Sequence, residues 1–166
     1  MALTGLSEES RINPLDVVER IASVNDWSFE RAGDDEITML VGGRWSDYQV
    51  SFTWMYDIEA LHLACAFDLK VPEPRRMEVL ALIAMVNEQL WVGHFDMWTK
   101  DGIVMFRHAL LLREGINVSS ELMEDLVDIA VTECERFFPA FQFVISGGKS
   151  PLEALTAAML YTEGEA

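Results

Sequence analysis

Two neighbouring stretches of the chain alternate apolar and polar side chains with a period of two, and this pattern constrains the fold more than any other. One side of the first stretch is lined by Tyr48, Val50, Phe52, Trp54 and Tyr56. After Asp57, one side of the second stretch is lined by Leu61, Leu63, Cys65, Phe67 and Leu69. Successive side chains of a β-strand point to opposite faces of a sheet. The two stretches therefore predict an antiparallel hairpin with one buried face.

Shorter signals extend this sheet on both sides. Strands are predicted at residues 27–32, 36–41, 94–99 and 103–113, and the last two flank Lys100-Asp101-Gly102, in which Asp-Gly is a strong hairpin signal. The strand after Asp101 is apolar on both faces, which predicts that a helix or another protomer covers the second face of the sheet. The sequence thus predicts an antiparallel sheet of five to six strands.

Helical spacing is found in four segments, which run from Pro14 to about Asn25, from Pro74 to Trp91, onward from Ser120, and onward from Pro151. The fold class is therefore α+β, in the order α-β-β-β-β-α-β-β-α-α. We expect a flexible lead over residues 1–12, a single domain over residues 13–162, and an acidic tail over residues 163–166.

The second helical segment contains ten residues, MEVLALIAMV, of which only Glu78 is polar. One face of this helix is predicted to lie on the sheet, and it carries Val79, Leu80, Ile83, Val86 and Leu90. Leu82 and Met85 lie opposite, facing either a partner or the C-terminal helix that contains Phe137, Phe138 and Phe141. The candidate interface residues are Leu82, Met85, Met97, Trp98 and Met105.

Composition excludes several classes of partner. The 166 residues include 28 aspartates and glutamates against 12 lysines and arginines, for a formal charge of −16, so nucleic acids and anionic membranes are repelled at long range. The segment at the N-terminus has no leader-like pattern, and no apolar stretch is long enough to cross a membrane. The two cysteines, Cys65 and Cys134, lack a metal or disulfide spacing and indicate reduced thiols. We expect a cytoplasmic protein.

No pattern in the sequence indicates a reaction. His62, His94 and His108 could join Cys65 or Asp96 around zinc, but their spacing matches no zinc signature, and packed or exposed histidines are favoured. Cys134 precedes Glu135 and Arg136, yet sequence neighbours point to different faces of a helix, so a packed cysteine is favoured over an activated thiol. We predict no catalytic residues, no metal and no cofactor.

Four segments together resemble the bacterial YbjN domain-containing family: EALHLACAFDLKVPEPRR, EVLALIAMVNEQLWVGHFDMW, IVMFRHALLL and CERFFPAFQFV. The resemblance covers the chain from Asn13 onward. It implies a fold similar to type III secretion chaperones, with helices on a strongly twisted antiparallel sheet, commonly as a dimer. Such proteins are usually described as sensory transduction regulators, and no catalytic residues come with the resemblance.

These observations favour a non-enzymatic protein-interaction module, chaperone-like or regulatory, that acts as a homodimer. Its partner would be a protein or peptide, because methionine-rich apolar surfaces adapt to varied segments and the negative charge favours a basic partner. The alternative is a small-molecule-binding sensory domain, in which the aromatic residues enclose a pocket. An enzyme ranks third.

Overall fold

The protein, in a computed structural model that describes residues 13–113 and 118–163, is an α+β domain built on one six-stranded antiparallel sheet. The strands are β1 (Phe29–Ala32), β2 (Glu36–Gly42), β3 (Asp47–Met55), β4 (Ala60–Lys70), β5 (His94–Trp98) and β6 (Ile103–Leu111). Their spatial order is β1-β2-β3-β4-β6-β5, so β6 inserts between β4 and β5. The predicted class and the predicted order of elements are confirmed.

Four α-helices accompany the sheet: α1 (Pro14–Val24), α2 (Arg76–Asn87), α3 (Ser120–Ile145) and α4 (Pro151–Glu163). The side-chain oxygen of Asn13 caps α1 by accepting the Leu15 N–H, and the hydroxyl of Ser119 caps α3 by accepting the Leu122 N–H. Helix α3 continues through Pro139. The predicted lead, residues 1–12, and the end of the predicted acidic tail lie outside the described residues.

The core lies between the helices and one face of the sheet, which we term the helix face. One row of paired residues crosses all six strands on this face: Phe29, Met39, Val50, Cys65, Phe106 and Phe95. Helix α1 packs on β2 and β3, and α3 packs on β4 and β6. Phe67 and Phe95 on the sheet contact Phe141 of α3 through their rings, with centroids 5.3 and 5.6 Å from its ring. The period-two pattern thus correctly identifies the buried face.

Helix α2 is shorter than the sequence predicts. A 3-10 turn over Glu73–Arg75 precedes it, and it ends at Asn87, so Trp91 is left 99% exposed in the following loop. After Asn87 the backbone passes into tighter turns, with the Gln89 N–H on the Val86 carbonyl at 2.9 Å, and the side-chain amide of Asn87 turns toward β5. It accepts the Phe95 N–H at 2.7 Å and donates to the Phe95 carbonyl at 3.0 Å.

Side chains occupy much of the hydrogen-bonding capacity along the outer edge of β5. The Phe95 backbone groups point away from β6 and are held by Asn87, and the next outward N–H, that of Met97, is held by the Asp96 carboxylate at 2.8 Å. An exposed strand edge is a template for pairing with another chain. The side chains of Asn87 and Asp96 therefore oppose strand addition at this edge.

Candidate functional site

The second face of the sheet, which we term the open face, is not covered by any helix of the described residues. Two cross-strand rows form its centre. The first contains Thr38, Ser51, Ala64, Arg107 and His94. The second contains Leu40, Gln49, Ala66, Met105 and Asp96. The sequence predicts that a helix or another protomer covers this face. Within the part of the chain that the structure describes, no helix covers it, so the first alternative is wrong there. Cover by another protomer stays a prediction.

A groove of about 720 Å³ lies on the open face. Its floor is formed by the small side chains of Ser51, Ala64 and Ala66 on the central strands, which leave room above the sheet. At one end, the pairing of β4 with β6 is irregular between Ala66 and Lys70. This bulged end of β4 and the half-exposed Trp98 both line the groove.

Polar side chains beside the groove form a connected network. The Arg107 Nε donates to Nε2 of His62 at 3.1 Å, and Arg107 Nη1 donates to the Asp96 carboxylate at 3.0 Å. An imidazole nitrogen that accepts a hydrogen bond carries no proton, so this geometry requires a neutral His62. Burial, followed by the charge of Arg107, lowers the pKa of His62. The lone pair of Nε2 is occupied, which leaves His62 poorly placed to act as a general base.

Acidification is expected to weaken the fold through His62. Its folded-state pKa lies below the ordinary 6.5, so the unfolded state binds the proton more readily. The stability that depends on neutral His62 is complete above about pH 6.5 and is lost as the pH falls through the folded-state pKa. The variant His62→Gln, which still offers an acceptor to Arg107, should lose less stability than the wild-type protein on acidification. Urea unfolding at a series of pH values measures this difference, and parallel profiles would contradict it.

The structure separates the candidate interface residues into three groups. Trp98 and Met105 come together in the groove, where Trp98 is 54% exposed and Met105 is 2% exposed. Met97 lies on the helix face and is buried. Leu82 is fully buried and Met85 half-buried, because α2 packs against α3, α4 and β5. Leu82 and Met97 therefore belong to the core and offer almost no surface to a partner.

The two cysteines, which are far apart in sequence, meet in the core. Their Sγ atoms are 3.6 Å apart, both residues are fully buried, and both are free thiols. Burial, together with the neighbouring Cys65, raises the pKa of the Cys134 thiol. Because the thiolate is the nucleophile, this environment makes Cys134 unreactive.

Glu135 has a structural position that the sequence does not reveal. Its carboxylate accepts the backbone N–H of Arg44 in the β2–β3 turn, and a Cβ at Gly43 would collide with it. Burial and the nearby Glu135 charge raise the pKa of Tyr48, so its phenol stays neutral. Glu135 thus ties α3 to the turn. A gap of 91 residues separates the two partners, and no local sequence signal could have found this contact.

The zinc hypothesis finds no support in the geometry. Residues 13–113 and 118–163 contain no group of three or more histidine, cysteine, aspartate or glutamate side chains that could hold a metal ion. Cys65 and His108 belong to the helix face, whereas His62 and His94 lie on the open face. Within the same residues, no helix is both long and apolar enough to cross a membrane.

Comparison with known proteins identifies the family. None of the curated proteins matches the chain. The crystal structure of YbjN from E. coli, described as a putative transcription regulator, is similar in fold with a TM-score of 0.51 and 11% sequence identity. The match covers 79% of this chain and 87% of that one. The family model YbjN, described as "Putative bacterial sensory transduction regulator", matches residues 14–143, and the chain therefore belongs to the YbjN family.

Proposed function

We propose that this protein is a non-enzymatic regulatory module that binds a segment of another protein on the open face of its sheet. The observation that carries the proposal is the groove, which combines a small-residue floor with the accessible apolar side chains of Ile103 and Trp98. Leu40 and Trp98 on this face are each 54% exposed, and exposed apolar side chains gathered beside a groove commonly mark a binding surface. The family description as a regulator agrees with a role in binding.

The state of the reactive side chains supports a non-enzymatic role. His62 has its acceptor nitrogen occupied by Arg107, Cys134 is a buried thiol with a raised pKa, and the Tyr48 phenol is buried. These groups are held in the states that make them weak bases or weak nucleophiles.

A homodimer is part of this proposal and would use a different surface. Leu152 and Leu160 of α4 are 64% and 66% exposed. Helix α4 packs on α2 and α3, so these side chains lie away from the open face. Stable dimers bury about 800 Å² on each partner. Apolar side chains on α4 offer a start for such a surface without occupying the groove.

Site-specific photo-crosslinking in native cells tests the binding role. A benzophenone side chain at Gln49, which is exposed and lines the groove, should give adducts with a partner protein. The matched control places it at Asp128, which is exposed on α3. The identified partner should bind the purified protein, and Ala64→Trp, which fills the floor, should prevent binding while Ala81→Trp on the exposed side of α2 should not. Equal adducts at both positions, or binding unaffected by Ala64→Trp, would reject the proposal.

A small-molecule sensor is the second candidate, and the size of the groove favours it. Ligand pockets commonly enclose about 300–1,000 Å³, and the groove has about 720 Å³ with polar groups from Ser51, Thr53 and His62. A thermal-shift screen of metabolites distinguishes this candidate, since a ligand that stabilises the wild-type protein but not Ala64→Trp would indicate a sensor.

A further inference from the structure

Over the floor of the groove, the backbone has no hydrogen bonds to offer an incoming chain. The floor residues Ser51 on β3 and Ala64 and Ala66 on β4 lie where each strand is paired on both sides, β3 with β2 and β4, and β4 with β3 and β6. An extended segment lying on this face would therefore bury its own N–H and C=O groups without partners, which is costly. An α-helix satisfies these groups internally. The geometry thus favours a helix as the occupant.

The floor of the groove suits the close approach of a helix. Ser51, Ala64 and Ala66 are short, while larger side chains such as Trp98 and Gln49 stand around them. The helix face of the same sheet already packs α1 and α3 against its strands. A helix in the groove would complete a third layer on the other side.

The charges around the groove select the kind of helix. Glu36, Asp68 and Asp101 line it, all three are exposed, and none forms an ion pair with another described residue. Among the lining residues, these three carboxylates outnumber the one lysine, Lys70. The formal charge of the whole chain is −16, so a second copy would be repelled at this face whereas a cationic segment would be attracted.

We propose that the groove binds a basic amphipathic helix of a partner protein. The apolar stripe of this helix would lie against Ala64, Ala66 and Ile103, and its lysines or arginines would face Glu36, Asp68 and Asp101. This inference rests on the proposed binding role of the open face and specifies the chemistry of the partner.

Three synthetic peptides of about 18 residues test the inference by fluorescence anisotropy with the full chain. The first contains lysine and leucine in helical spacing, the second replaces each lysine by glutamate, and the third alternates lysine and leucine with the period of a strand. The first should bind at least about tenfold more tightly than either of the others, and its affinity should fall as salt rises. Equal binding of the alternating peptide would reject the helix, and equal binding of the acidic peptide would reject the charge selection.

Two charge-matched triple variants locate the binding. Glu36→Gln with Asp68→Asn and Asp101→Asn neutralises the groove and should weaken binding of the basic helix about tenfold. The control neutralises three exposed carboxylates elsewhere: Asp26→Asn, Asp128→Asn and Glu153→Gln. The control has the same net charge and should change the affinity less than about twofold. Equal losses would mean that only the overall charge attracts the peptide, which would reject the inference.

The crosslinking result separates the two proposals. Adducts at Gln49 with a partner that lacks a basic helix would leave the binding role intact and reject only the basic amphipathic helix as the occupant of the groove. Absence of groove adducts together with no binding of any peptide would reject both.

Discussion

Replacing Phe95 by alanine is expected to destabilise the protein by about 3–5 kcal/mol, the usual cost of removing a buried aromatic ring. Phe95 is 1% exposed, and its ring contacts those of Phe67, Phe106, Phe137 and Phe141 at centroid distances of 5.6–6.0 Å. Its backbone N–H donates to the side chain of Asn87, and its carbonyl accepts from the same side chain. The substitution therefore opens a cavity where the sheet, α3 and the end of α2 meet. Urea unfolding followed by tryptophan fluorescence measures the loss.

Phe29→Ala is the matched control. Phe29 stands at the opposite end of the same cross-strand row, but it is 38% exposed on the short edge strand β1. Its truncation removes less buried apolar area and should cost no more than about half as much. Equal losses for the two variants would contradict a core centred on the aromatic cluster around Phe95.

Local sequence patterns predict the sheet well because they report which residues share a face. Val50 and Phe52 on β3, and Leu63 and Cys65 on β4, alternate with polar or small residues and are all buried as expected. The same patterns cannot say what covers a face. Ile103 and Leu111 give β6 a second apolar side, which predicts a covering helix or protomer, and no helix of the described residues lies on that side.

The polar network beside the groove needed information that a sequence does not hold. Arg107 reaches His62 across 45 residues and Asp96 across 11 residues, and these contacts depend on the register of β6 between β4 and β5. The insertion of β6 there is a feature of the topology, because the chain runs from β4 through α2 to the edge strand β5 before β6 returns to pair with β4. A period of two fixes the face of each side chain but not the order of the strands.

Helix α2 shows again that a local pattern does not reveal what covers an apolar face. Val79, Ile83 and Val86 are buried as the helical period predicts, but Leu82 on the opposite side is also fully buried. Both α3 and α4 pack on α2, so the second apolar side is covered within the chain. Helix α4, which begins at Pro151 and so lies beyond the residues 14–143 that match the family model, provides part of this cover.

Leu82→Asp is consequently expected to unfold the protein and not to release an otherwise intact monomer. An unpaired carboxylate in a fully buried position, added to the lost leucine packing, should cost more than about 4 kcal/mol, a large part of the 5–15 kcal/mol that stabilises a typical domain. Circular dichroism and urea unfolding should show a loss of cooperative folding. Leu82→Ala, which introduces no charge, should keep the fold while losing about 2–5 kcal/mol.

Leu152→Asp on the exposed side of α4 is the control that separates core from interface. Its side chain is 64% exposed, so the fold and the unfolding midpoint should change little. If the proposed homodimer uses α4, sedimentation equilibrium at micromolar concentration should show a dimer for the wild-type protein and a folded monomer for Leu152→Asp. A folded, monomeric Leu82→Asp would reverse the assignment, because it would place Leu82 in an interface between chains instead of beneath α3 and α4.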